Sequence, residues 1–198
     1  MNVGLSKAFL PAPFLIGKKV YLRSLVEADA AGPYVDWFND PDVCRGNSHH
    51  IYPYQAESAL DYIRHANTTR EHLILAIASR DDDSHLGNIA LQHIHPVYHS
   101  AEFSIVIGDK TAWGQGVGKD AGRLICDHGF RALNLQRIAC GTFENNIAMQ
   151  RLALFLGMQQ EGTRRRAAYK DGVYLDILEY GVLKHEYEER WFHNERKE

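Results

Sequence analysis

No stretch of the sequence stays apolar long enough to cross a bilayer, for which a helix needs about 20 residues, so no membrane span is expected. Cysteine is scarce. Cys44, Cys126 and Cys140 are odd in number and far apart, which argues against a disulfide framework and against a zinc cluster. An excess of charge of one sign is also missing. Lysine and arginine number 22, aspartate and glutamate 25, and the net charge is -3, so composition carries no nucleic-acid signal. The opening MNVGLSKAFLPAPFLIG is a poor secretory signal, because prolines break its apolar part and no convincing cleavage site follows. Together these absences point to a cytoplasmic protein with reduced thiols, no metal, and no membrane or nucleic-acid partner.

What is present is ordinary for a globular chain: 45% hydrophobic and 24% charged residues. A length of 198 residues suffices for one substantial core. No repeat or linker divides it. The expectation is a single domain over residues 1–198, with an N-terminal arm at 1–17 and a charged tail at 186–198, a frayed helix.

Residues 101–158 organise the rest. Ala101, Phe103, Ile105 and Ile107 alternate with Glu102, Ser104 and Val106, the pattern of a strand. Trp113-Gly114-Gln115-Gly116-Val117-Gly118 follows, and Lys119 leads into a helical period. Val117, Ala121, Leu124, Ile125, His128 and Ala132 share one side of that helix. Alternate glycines ahead of a helix let a ligand approach the backbone. The first free N–H groups and the helix dipole suit an anion, most naturally a phosphate. A flexible turn would use the same glycines. Two familiar phosphate loops are excluded. Asp120 stands where a P-loop needs Ser or Thr, and Lys119 stands where a dinucleotide fingerprint needs its last glycine.

Further along come Glu144-Asn145-Asn146-Ile147-Ala148 and Leu156-Gly157-Met158. The loop, the asparagine motif and the Gly-Met ending, in that order, resemble the GNAT superfamily of N-acetyltransferases. Trp113 occupies the usual Gln/Arg position of the superfamily loop; that departure, the Ile-Gly-Asp-Lys phrase at 107–110, and Arg23-Ser24-Leu25 with Asp29 are similar to the RimJ/RimL-like branch. The resemblance covers residues 18–186. It implies an α/β (α+β) fold: a mixed, mostly antiparallel sheet of about seven strands, splayed at its centre, with helices on both faces.

The pattern itself places strands at 18–25, 72–80, 86–95, 101–107, 136–143, 159–169 and 173–183. The strand at 72–80 is apolar on both faces. Helices are expected at 29–39, 55–67, from 117, and at 146–156, the last with Ala148, Leu152, Phe155 and Leu156 inside. Asp40-Pro41 stops the first helix, and Lys170-Asp171-Gly172 joins the last two strands as a hairpin. Residues 43–54 are polar and aromatic without period (Arg45, Asn47, His49, His50, Tyr52, Tyr54). The resemblance makes them a wall of the acceptor site; a plain surface loop is the alternative.

The resemblance further implies acetyl-CoA as acyl donor. Its pyrophosphate would lie on the loop of Trp113, Gly114, Gln115, Gly116, Val117, Gly118 and Lys119, held by N–H groups from Gln115 onward. Its pantetheine amides would pair with the strand edge at Ile105, Val106 and Ile107. Asn146 matches an asparagine that contacts the pantetheine arm or steadies the splay, and it is also a good helix N-cap. The usual proton donors to the departing thiolate are absent, with Ala153 at the tyrosine position and Met149 at the serine position. Glu102 is the candidate base, the alternative being a structural or acceptor-orienting carboxylate. His93 and His95, read as sharing a strand face with Ile89 and Leu91, are candidate proton carriers or structural groups.

The function these features imply is acetyl transfer to a primary amine, such as a protein or peptide N-terminus. A small amine (polyamine, amino sugar or antibiotic) is one alternative, since Ala101-Glu102-Phe103 is similar to a strand of polyamine acetyltransferases. A non-catalytic acyl-CoA-binding protein is another. A monomer or a homodimer would serve equally.

Overall fold

The doubly apolar segment forms β3 (Leu73–Ser79), whose interior is buried on both faces because helices cover the sheet on both sides. The computed structural model describes residues 11–192. Among them the sheet has eight strands. In order they are β1 (Leu15–Ile16), β2 (Val20–Ser24), β3, β4 (His85–His95), β5 (Ser100–Ile107), β6 (Arg137–Phe143), β8 (Val173–Leu183) and β7 (Gln159–Lys170). Every neighbouring pair is antiparallel except β5 and β6. The mixed, mostly antiparallel architecture is as expected. The additional strand is β1, inside the stretch read as an arm. Two residues are too few for an alternation to show; only pairing with β2 and the packing of Leu15 reveal it.

One face carries α3 (Val117–Arg131), α4 (Ile147–Phe155) and α5 (Lys184–Phe192) over Leu75, Ile77, Ile89, Leu91, Ala101 and Phe103. The other carries α1 (Tyr34–Asn39) and α2 (Ala56–Thr68) over Ile74, Ala76 and Ala90. Alternation along β3 and β4 feeds both cores. No helix among the described residues is long and apolar enough to cross a membrane.

Some helix expectations need correction. The helix predicted at 29–39 is a 3-10 turn, Glu27–Ala31, followed by α1, because Gly32-Pro33 intervenes and proline has no N–H to continue the ladder. Within it Asp29 is buried and binds Arg23 through two contacts of 2.7 and 2.8 Å. Burial pushes the Asp29 carboxyl up, but Arg23 and the Val26 amide outweigh it and hold the group below its ordinary value. The frayed tail is instead α5, anchored by a fully buried Tyr187 that donates to Asp127 Oδ1 at 2.6 Å. Its aromatic spacing, Tyr187 to Trp191, is one helical turn. The part of the tail at 193–198 lies outside the described residues. In α4, Ala148 is exposed and Ala153 takes the inner position; Ala132, which caps the C-terminus of α3, is exposed.

Candidate active site

β5 and β6 pair only at Ser100, Ala101 and Glu102, against Arg137, Ile138 and Ala139. Past that row β5 continues to Ile107 against β4, and β6 continues to Phe143 against β8, so the sheet opens between them. This is the expected central splay. The first turn of α3 lies over the opening: a Cβ placed on Gly118 would sit 3.8 Å from Leu152 of α4 and 3.9 Å from Ile105.

The ladder decides which backbone groups face the opening. Gly108 N donates to Leu86 O at 2.9 Å, so that pair is hydrogen-bonded, and alternation turns Val106 and Ser104 toward β4 as well. A Cβ on Gly87 would fall 2.1 Å from Val106 O, in agreement. Phe103, Ile105 and Ile107 therefore direct their groups into the gap. Val106 does not, and its side chain packs against the α1–α2 core. The indole of Trp113 donates to Ile107 O at 2.8 Å, which leaves Ile105 with both backbone groups free of the ladder.

The glycine loop ends as a bare cradle. Gly114 and Gly116 have left-handed backbones, φ 74 and 81, a conformation that costs an L side chain strain. A Cβ on Gly114 would meet nothing within 4 Å, and one on Gly116 only the Lys19 stem at 3.7 Å. Gly116 caps α3, and Asp120 N closes the first turn on Gly116 O at 3.1 Å. The amides of Val117, Gly118 and Lys119 precede that bond and are the open donors of the helix start. Gln115 N bonds back to Ala112 O at 3.3 Å, so it is engaged within the turn. Lys119 also lies over the Phe155 ring, 4.9 Å from its centroid. These residues fit a pyrophosphate.

Lys19 joins the site through a contact that the sequence does not mark. Asp120 accepts from the backbone of Lys19 at 2.6 Å and of Val20 at 3.1 Å, which pins β2 to α3 and sets Lys19 beside the loop. No local pattern announces a contact across 101 residues.

Asn146 caps α4 by accepting from Met149 N at 3.1 Å, and its amide donates to Gly46 O at 3.0 Å. That second bond ties α4 to the 43–54 loop. Lys110 holds the start of this loop by bonding Asp40 at 2.7 Å and Asp42 at 3.1 Å just ahead of it, and Lys170 Nζ donates to His49 O within it at 2.6 Å. The loop is thus stitched to the β5–α3 connection, to α4 and to the β7–β8 hairpin.

Glu102 occupies the last paired row, where the sheet opens. Its side chain is 65% exposed while neighbouring Phe103 is buried, as alternation predicts. The placement of the histidines is corrected. A bulge between Gln92 and His95 puts His93 at φ 51 and brings its Nδ1 to 3.3 Å from Glu102 Oε2. His95 instead stacks on Tyr98 in the following turn. Among the described residues no group of three or more His, Cys, Asp or Glu could hold a metal ion.

The family model for the acetyltransferase (GNAT) domain matches residues 19–159, which spans both strands of the opening and the glycine loop. The chain belongs to the GNAT acetyltransferase family. It is an acyltransferase that uses acetyl-CoA and an amine acceptor. Uncharacterized N-acetyltransferase YoaA of Bacillus subtilis (strain 168) is 27% identical over 174 residues, 87% of this chain and 97% of that protein. Spermidine N(1)-acetyltransferase of Escherichia coli (strain K12) is 26% identical over 137 residues, 68% of this chain and 72% of that one. The structure of spermidine N-acetyltransferase from Vibrio cholerae in complex with CoA and spermine shares the fold, with a TM-score of 0.75 at 20% identity over 85% of this chain and 97% of that one. In this acetyltransferase Ala153 is fully buried and Met149 partly buried against the core, and neither carries an ionisable proton.

Proposed function

We propose that this acetyltransferase acts on α-amino groups of proteins or peptides, as in the RimJ/RimL-like branch, with Glu102 as general base and His93 as its partner. One observation carries this: Glu102 stands at the row where the sheet opens, with an imidazole 3.3 Å away. Bound acetyl-CoA supplies the acyl group as a thioester. The amides of Val117, Gly118 and Lys119 would hold its pyrophosphate, and the Ile105 edge its pantetheine amides. Asn146 keeps α4 and the acceptor loop in register beside them. Glu102 would take the proton that the attacking amine must lose, and His93 would pass it toward solvent. With Ala153 and Met149 unable to donate, the thiolate leaves without a side-chain acid, which a thiol of pKa near ~8.5 permits.

The choice of acceptor rests on charge. A lysine-type amine titrates near ~10.4 and an α-amino group near ~8, so the latter needs less help from a single exposed carboxylate. A polyamine would want free acids. Here Asp40 and Asp42 are taken by Lys110, and Glu179 by Arg164. The rival is spermidine, the substrate named for the E. coli relative. The deciding experiment is a competition at neutral pH between N-terminal peptides and spermidine, with products weighed by mass spectrometry. Acetylated peptide should dominate. Acetylation of spermidine with no peptide product would overturn the acceptor and leave the enzyme class intact.

A further inference from the structure

Thr142 on β6 is 5% exposed, and its hydroxyl has no hydrogen-bond partner. Burying a hydroxyl unpaired destabilises a fold. The place where this one is kept is informative. In the parallel pair Ala139 is level with Glu102, and both strands then advance at about 3.3 Å per residue. Thr142 is therefore level with Ile105, on the opposite flank of the opening. Alternation puts it on the face of Ile138 and Cys140, beneath α3 and α4. That is where the first turn of α3, Leu152 and Ile105 converge. Its partner residue across the β6–β8 ladder, Leu178, has no polar side chain to answer it.

We propose that Thr142 Oγ exchanges a hydrogen bond with an amide of the donor's pantetheine arm, so that the arm is held from both strands: by the Ile105 backbone on β5 and by Thr142 on β6. This rests on the reading of the opening as the acyl-donor site. A hydroxyl can donate to an amide carbonyl or accept from an amide N–H, so it suits a chain of amides lying along the gap. The group is unpaired without the donor and paired with it. A substitution that removes it should therefore move stability and affinity in opposite directions.

The test is calorimetric titration of wild type, Thr142→Val and Thr142→Ser with CoA, and with ADP, which has a pyrophosphate but no pantetheine arm. Melting of each free protein is recorded alongside. Thr142→Val should weaken CoA about threefold to tenfold, leave ADP unchanged, and melt higher than wild type when free. Thr142→Ser should bind CoA within about twofold of wild type. Unchanged CoA affinity in a folded Thr142→Val protein would overturn the proposal. So would an equal loss for ADP, or a lower melting temperature of the free valine variant. Wild type that binds neither CoA nor ADP would instead remove the reading of the opening on which the proposal stands.

Discussion

A carboxylate can act as a base only where its position lets it meet the reacting amine, and Glu102 owes its position to two separate facts. Strand alternation turns it away from Phe103 and out of the core. The end of the β5–β6 pairing then places it at the mouth of the opening. Because the side chain is 65% exposed, Glu102→Gln should leave packing alone. We expect it to lower turnover about 100-fold or more, the usual worth of general base help, while CoA affinity stays at the wild-type level. Steady-state rates across pH with parallel CoA titrations check this; near-normal turnover at every pH would leave Glu102 a structural group. The first fact could be read from the sequence. The partnership with His93 could not, because a bulge shifts the side-chain period by one residue and no composition rule marks it.

At the scale of elements, the start of α3 matters most. Its glycines read from the sequence as an anion cradle or as a flexible turn. Left-handed angles at Gly114 and Gly116, with open space before them, support the cradle. Gly116→Glu would add backbone strain of order 1 kcal/mol and a negative charge at a site suited to anions. Wild type should gain about 2.7 kcal/mol of stability at 100 times Kd of acetyl-CoA. The variant should stay folded by circular dichroism and lose that thermal shift. A variant with the full shift would reduce the loop to a turn. The strand edge beside it shows the limit of spacing: alternation separates Val106 from Ile105 and Ile107, but only the antiparallel ladder decides which set turns its backbone groups toward the gap.

For the whole molecule, the second core links fold to pH. His85 is buried between Tyr34 and Trp37, with Nε2 2.9 Å from both Gly87 O and Asn88 Oδ1. Burial holds its imidazole below the ordinary value and outweighs the pull of Asp29, whose charge is already matched by Arg23. The folded state thus prefers neutral His85, and the unfolded chain takes up the proton first as pH falls. Stability from this group is complete above the unfolded value near ~6.5 and is lost as pH falls through the folded one. Melting temperature should decline from pH 7 to pH 5, and His85→Gln should flatten that decline whatever its absolute stability. An unchanged slope in the variant would assign the acid sensitivity to other groups. Asp29, held below its ordinary value, acts in a separate and more acidic window.

The sequence by itself determined most of the elements and their order, the doubly buried β3, the glycine loop ahead of α3 and the Asn146 cap. Each of these depends on neighbours within a few residues, so periodicity, capping and turn chemistry suffice to find them. The tertiary structure alone decided the rest. It paired β1, buried Tyr187 to make a tail into a packed helix, swung His93 onto Glu102, set Lys19 beside the glycine loop and left the Thr142 hydroxyl unpaired at the opening. All of these follow from register and from contacts between segments distant along the chain, such as Asp120 holding the backbone of Lys19, and local sequence carries no trace of which distant partner the fold will supply.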